Sequence, residues 1–140
     1  MTTARLLCLS AAVAAVAACA GANQPPSVDG DWTIASATLS GTAVPLMALQ
    51  GHLQMSGGTY VFQNDTGSFK IDGRAVPWRI DVHGIHGPNA GKTIPAIFRM
   101  DGDTLTICYD LSGRVHPQAF RSDSGTQLFL VRYTRAKPAT

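Results

Sequence analysis

Short runs that alternate apolar and polar residues, broken repeatedly by turn residues, constrain this chain more than any other feature. Residues 78–83 place Trp78, Ile80 and Val82 on one side and Arg79, Asp81 and His83 on the other. Residues 104–109 set Leu105, Ile107 and Tyr109 against Thr104, Thr106 and Cys108. A period of two is the mark of a strand with one buried face. The pattern predicts strands over 31–39, 52–56, 59–64, 68–72, 77–83, 93–101, 103–109 and 127–135. Gly57-Gly58 and Asp101-Gly102 are two-residue hairpin signals. The stretch 64–67 (Asn-Asp-Thr-Gly) and Asp72-Gly73 are further turn signals. Only 44–50 suits a helical turn or two, and 110–126 is a long irregular piece. Over 128–133 both faces are apolar, so the last strand is expected to be covered on both sides.

Composition agrees. All nine acids are Asp, Glu is absent, and Lys occurs three times, so the usual exposed helix formers are missing. Fourteen Gly and eight Pro add turn character. At 140 residues with 45% hydrophobic content, the chain suits one domain with a real core. The net charge of +2 is spread along the chain and gives no basic surface for a nucleic acid. The expected fold is all-β, a single eight-stranded antiparallel barrel, with a two-sheet sandwich as the alternative. Closure removes the exposed strand edges that invite aggregation. An eight-stranded barrel is either filled by its own side chains or holds one small ligand.

Residues 1–18 stand apart from this pattern. Arg5 gives a short positive start, and 6–18 carry no charge. The run is shorter than the roughly 20 apolar residues of a membrane span, and suits the apolar part of a signal peptide. It ends Val16-Ala17-Ala18-Cys19, which resembles a bacterial lipobox, with Cys19 as the lipidated residue. An ordinary small-residue cleavage site is the alternative. Residues 19–29 then read as the lipidated cysteine and a small, polar, Pro-containing tether. Stable anchoring takes more than one acyl chain, as bacterial lipoproteins carry. Ala20 follows the cysteine; in a Gram-negative envelope this implies sorting to the outer membrane, facing the periplasm. With Cys8 removed and Cys19 acylated, Cys108 would stand alone without a disulfide partner. The barrel is expected over 30–135, and 136–140 form a C-terminal tail.

Gly30-Asp31-Trp32 resembles the Gly-x-Trp start of lipocalins and related calycin barrels. There the Trp closes one end of the barrel and an Arg of the last strand packs over it. The resemblance implies barrel closure by Gly30 and Trp32 with Arg132 or Arg135. More broadly, the order of motifs is similar to a family of small, uncharacterised lipocalin-like bacterial domains. The matching pieces are Gly30-Asp31-Trp32, 77–82, Gly91-Lys92-Thr93, 101–108, Arg114 with Pro117 and Phe120, and 132–135. Two pieces depart from that family: Val115-His116 separates Arg114 from Pro117, and Ala96-Ile97-Phe98 stands where Gly-Ile-Tyr is usual. The resemblance speaks to fold and not to activity.

Several constellations invite chemistry. His86 to Thr93 ends Gly91-Lys92-Thr93 like a P-loop, but His86 stands at the first glycine position and Pro95 falls where the phosphate-binding helix would begin. No nucleotide partner is expected. His83 and His86 are separated by a glycine and lack the three or four convergent ligands of a zinc site. No metal or other cofactor is expected. Asp81, His83 and a serine lack a nucleophile elbow, and Asp81 reads as one half of a cross-strand pair with an Arg. Cys108 on a strand reads as a small apolar residue. Arg114 and Phe120 are candidate ligand or loop contacts, Arg114 either binding an anion at the barrel mouth or pinning its loop to Asp110. The expected function is a non-catalytic, lipid-anchored, extracytoplasmic module for a small apolar or amphipathic ligand, gated by 84–92 and 110–126. The alternative is a protein-interaction barrel, a periplasmic inhibitor or envelope assembly factor, with a packed interior. An apolar cavity of roughly 300 Å³ or more separates the two.

Overall fold

The computed structural model describes residues 24–136. Residues 1–23, with the expected signal peptide and Cys19, and residues 137–140 lie outside the described residues. Nine strands follow in order: β1 (Gly30–Leu39), β2 (Thr42–Ala43), β3 (His52–Ser56), β4 (Thr59–Phe62), β5 (Asp65–Asp72), β6 (Trp78–His86), β7 (Thr93–Asp101), β8 (Thr104–Asp110) and β9 (Leu128–Arg135). A single 3-10 turn, Leu46–Leu49, is the only helical element among the described residues. It falls inside the 44–50 stretch where the sequence allowed one.

From β3 onward each strand pairs antiparallel with the next, β1 pairs with β3, and β9 returns to β1. The result is a closed eight-stranded antiparallel barrel, with β2 pairing only with the far end of β1. The β1–β9 ladder, from Trp32 opposite Arg135 to Leu39 opposite Phe129, replaces the sandwich alternative. Closure is what the alternation requires, because it gives each of the eight barrel strands two neighbours and one inward face. That inward face carries Trp32, Ile80, Phe98, Leu105, Ile107 and Val131, each 1% exposed or less.

Three local readings are corrected. The hairpin expected at Asp101-Gly102 turns one residue later, on Gly102 and Asp103, because Asp101 closes β7 opposite Thr104. The turn expected over 64–67 sits one step earlier: Phe62 pairs with Asp65, so Gln63 and Asn64 make the turn, with Gln63 at a positive φ of 54°. Asp65, Thr66 and Gly67 belong to β5, because pairing across the hairpin outweighs their turn preference. β6 also runs to His86 rather than His83, and a bulge between Thr66 and Gly67 absorbs the extra residue.

The irregular stretch between β8 and β9 is a cover for the outside of the barrel. Pro95, Ile97, Thr106 and Cys108 point outward from β7 and β8 yet are buried, and Pro117 in the connecting stretch is buried as well. Arg99 lies over the Phe120 ring with its guanidinium carbon 4.5 Å from the centroid. Leu128 and Leu130, on the outer face of β9, are half-buried. Cys108 Sγ lies 3.4 Å from the Arg121 carbonyl, and burial pushes its thiol above the usual range. Cys108 should therefore stay unmodified by a thiol reagent until the protein unfolds, which peptide mapping after labelling with and without denaturant would check.

Candidate functional site

The two ends of the barrel differ. At the end where β1 starts and β9 finishes, Trp32 is fully buried and its indole N–H donates to the Val28 carbonyl at 2.9 Å. The Arg135 guanidinium stacks 4.4 Å from the Trp32 ring centroid. It also donates to the Asp29 carbonyl at 3.2 Å and to the Asp103 carboxylate at 3.3 Å. Gly30 must be glycine for this to happen: its φ is 150°, and a Cβ there would meet the Arg135 guanidinium. Val28 is 2% exposed and the Asp29 carboxylate accepts the Gly57 N–H at 3.2 Å. The last residues of the stretch read as a tether thus belong to the plug. Of the two arginines left open by the sequence, Arg135 holds the stacking position, while Arg132 alternates with buried Val131 and Tyr133 and is exposed on the outer face.

The opposite end is open. A cavity of about 290 Å³ enters the barrel there. Its lining is mostly apolar, with Leu53, Met55, Phe62, Ile94, Ile107 and Phe129 among the residues that form it. All three tyrosines of the chain, Tyr60, Tyr109 and Tyr133, line it. The Tyr109 and Tyr133 hydroxyls are hydrogen-bonded to each other at 2.9 Å. The Tyr60 hydroxyl donates to Asp65 Oδ1 at 3.3 Å, and the Asn89 amide donates to Asp65 Oδ2 at 2.6 Å. Asp65 is the only charged residue in the lining among the described residues.

The backbone delivers these polar groups. Asp65 is the first residue of β5, directly after the tight turn, and so sits at the rim. Asn89 reaches it because the 87–92 stretch folds back on β6: the Gly84 N–H donates to the Lys92 carbonyl at 3.0 Å and the Gly84 carbonyl accepts from Gly91 at 2.9 Å. A Cβ on Gly84 would collide with the Asn89 backbone, so only glycine lets the loop lie this close. The glycine-rich stretch that imitated a P-loop is therefore a hairpin that runs straight into β7.

Burial dominates the phenols. It pushes Tyr60 and Tyr133 up to about 12, and Tyr109 well above its ordinary value. The charge of Asp65 adds to the effect at Tyr60, and the neighbouring Tyr133 adds to it at Tyr109. A phenol whose pKa is raised on folding stabilises the fold below the unfolded value of 10.0 and loses that contribution as pH rises towards about 12. A spectrophotometric titration should show no phenol ionising near 10 in the native protein, with ionisation and loss of stability arriving together at higher pH.

Arg114 and Phe120 do not line the cavity. Phe120 lies under Arg99 on the outer cover, and Arg114 meets Asp110 through its backbone N–H, at 3.2 Å, not its guanidinium. The Asp81 expectation is also corrected: its partner is His116, 2.6 Å away in the outer cover, rather than an Arg. His83 bonds the Thr93 hydroxyl at 3.0 Å. Among the described residues no three His, Cys, Asp or Glu side chains gather as a metal site would need.

The residues that sequence reasoning missed are Asp65 and Asn89, both in stretches read as turns. Of the tyrosines, Tyr109 falls on the apolar face that alternation marks over 104–109. Comparison with known protein families, with curated proteins and with solved structures finds no match for this chain.

Proposed function

We propose that this barrel is a non-catalytic binding module for one small amphipathic molecule, carried outside the cytoplasm on a lipid at Cys19. The observation that carries the reading is the contrast between the two ends. One is bolted shut by Trp32 and Arg135, and the other opens into a cavity of about 290 Å³ with an apolar wall and a few polar groups. That volume lies at the lower edge of ordinary ligand pockets. The chain enters the barrel at the closed end, where Pro25 lies against Gly73 and Val28 is buried. An anchor at Cys19 would thus hold the closed end towards the membrane and leave the mouth facing away from it.

Calorimetric titration with 2-phenylethanol tests the cavity. Val82 is a half-buried lining residue, and Val82→Trp should fill the space and lower affinity at least about tenfold, while the circular dichroism spectrum stays that of a β-barrel. Equal binding by the variant would place the ligand elsewhere.

The protein-interaction reading also has support. Leu46, Met47, Leu111 and Val115 stand exposed on the connections at the open end, Met47 at 84%, and Ile85 is exposed near the end of β6. Isolated exposed apolar residues are ordinary, but a group around one opening suits a docking surface. Pull-down on the Met47→Asp variant would separate a partner held by this rim from a ligand held within.

A further inference from the structure

We propose that the ligand is a small primary or secondary amine, its apolar body in the chamber and its ammonium group on Asp65. This deepens the reading of the cavity as a ligand site and rests on it.

The charge balance points to a cation. Among the described residues no Lys or Arg lines the cavity and no ion pair involves Asp65. A carboxylate beside an apolar chamber, without a fixed counter-ion, favours a ligand that brings one. The hydrogen-bond balance points the same way. A carboxylate offers about four lone-pair sites. Tyr60 and Asn89 each occupy one, through different oxygens, so acceptor capacity remains on both. These two donors also hold the carboxylate in place, which lowers the entropy lost when a ligand docks. An ammonium group supplies donors and no acceptor, and so matches what is left. A carboxylate or phosphate ligand would meet the same charge as repulsion.

The apolar portion is bounded by volume. At about 30 Å³ per water, the 290 Å³ chamber has room for about ten waters. That suits a single ring with a short side chain, and the surrounding Tyr60, Phe62, Tyr109 and Phe129 rings suit both an aromatic body and a nearby cation.

The test is calorimetric titration of the purified full-length protein with three probes of matched size: 2-phenylethylamine, 2-phenylethanol and phenylacetate. The amine should bind about tenfold or more tighter than the alcohol, as a charge-assisted hydrogen bond implies, and phenylacetate should bind weakest. Asp65→Asn should bring amine and alcohol to similar affinities while leaving the alcohol bound. Amine binding no tighter than alcohol binding overturns the amine assignment and leaves the cavity as a ligand site. The same holds if the amine keeps its advantage in Asp65→Asn. Absence of binding by both the amine and the alcohol overturns the cavity reading together with this one. The order of the three affinities in the parent protein needs no variant, so a folding failure of Asp65→Asn does not shield the proposal.

Discussion

Trp32→Ala should cost about 3–5 kcal/mol, the range for truncating a large buried aromatic. A domain of this size is stable by about 5–15 kcal/mol, so the change removes a large share of the total. The reasons are local. Trp32 is fully buried, and its indole N–H satisfies the Val28 carbonyl, which would be left without that partner. Arg135, stacked at 4.4 Å, would lose the surface it lies on. Arg135→Ala should cost less, about 1–2 kcal/mol, combining a cation–π contact with hydrogen bonds that are partly solvated. Arg132→Ala, an exposed position, should stay within about 0.5 kcal/mol of the parent and serves as the control. Urea denaturation followed by circular dichroism reads all three. An unchanged midpoint for Trp32→Ala would mean that the ring does not close the barrel.

How much of this was legible in the sequence differs between strands and site. Strands with one apolar face announce themselves, and β3 begins and ends where alternation predicts. The Asp101-Gly102 signal marks the right hairpin one residue early, since Asp101 pairs with Thr104 and Gly102-Asp103 make the turn; the Gly57-Gly58 hairpin was plain. The 62–67 region was not. Asn64, Asp65, Thr66 and Gly67 are turn formers by local chemistry, and local chemistry is all that a sequence window contains. What pulls the last three into β5 is pairing with β4 on one side and β6 on the other. Asp81 failed for the same reason. Its natural partner by register was a cross-strand cation, and His116 arrives instead from a connection 35 residues away.

The cavity was legible as a possibility and not as a place. Eight strands permit either a filled or a hollow interior, and the choice depends on how side chains from different strands meet. The polar cluster joins β4, β5 and the β6–β7 connection, through Tyr60, Asp65 and Asn89. One signal could have found it: Asp65 is a lone acid between inward-facing Phe62 and the glycine of β5, with no basic residue within four positions on either side. By contrast the closed end was readable through the resemblance of Gly30-Asp31-Trp32 to the start of calycin barrels, which implied a stacked arginine of the last strand and left Arg132 and Arg135 both open.

Asp110→Ala should be the second severe change, at about 3 kcal/mol. Asp110 is 5% exposed, at the end of β8, where the chain leaves the barrel to build the outer cover. Its carboxylate accepts from the Ser112 N–H at 3.0 Å, the Ser112 hydroxyl at 2.5 Å, the Arg114 N–H at 3.2 Å and the Val115 N–H at 3.0 Å. Hydrogen bonds to a charged group are worth about 1.5–3 kcal/mol each, but 111–115 is an exposed stretch where water replaces part of the loss, so the total falls well below the sum. Asp110→Asn should not restore stability, because its amide would turn a donor towards donors. Burial alone would raise the pKa of Asp110; the bonds from Ser112, Val115 and Arg114 outweigh it and hold the carboxyl below its ordinary 3.8. A carboxyl depressed on folding contributes its full stabilisation above the unfolded value and loses it as pH falls through the lower folded-state value. The gap in urea midpoint between the parent and Asp110→Ala should therefore be widest at neutral pH and narrow in acid. A gap that stays constant down to pH values below the folded-state pKa would mean that the carboxylate charge does not hold the loop.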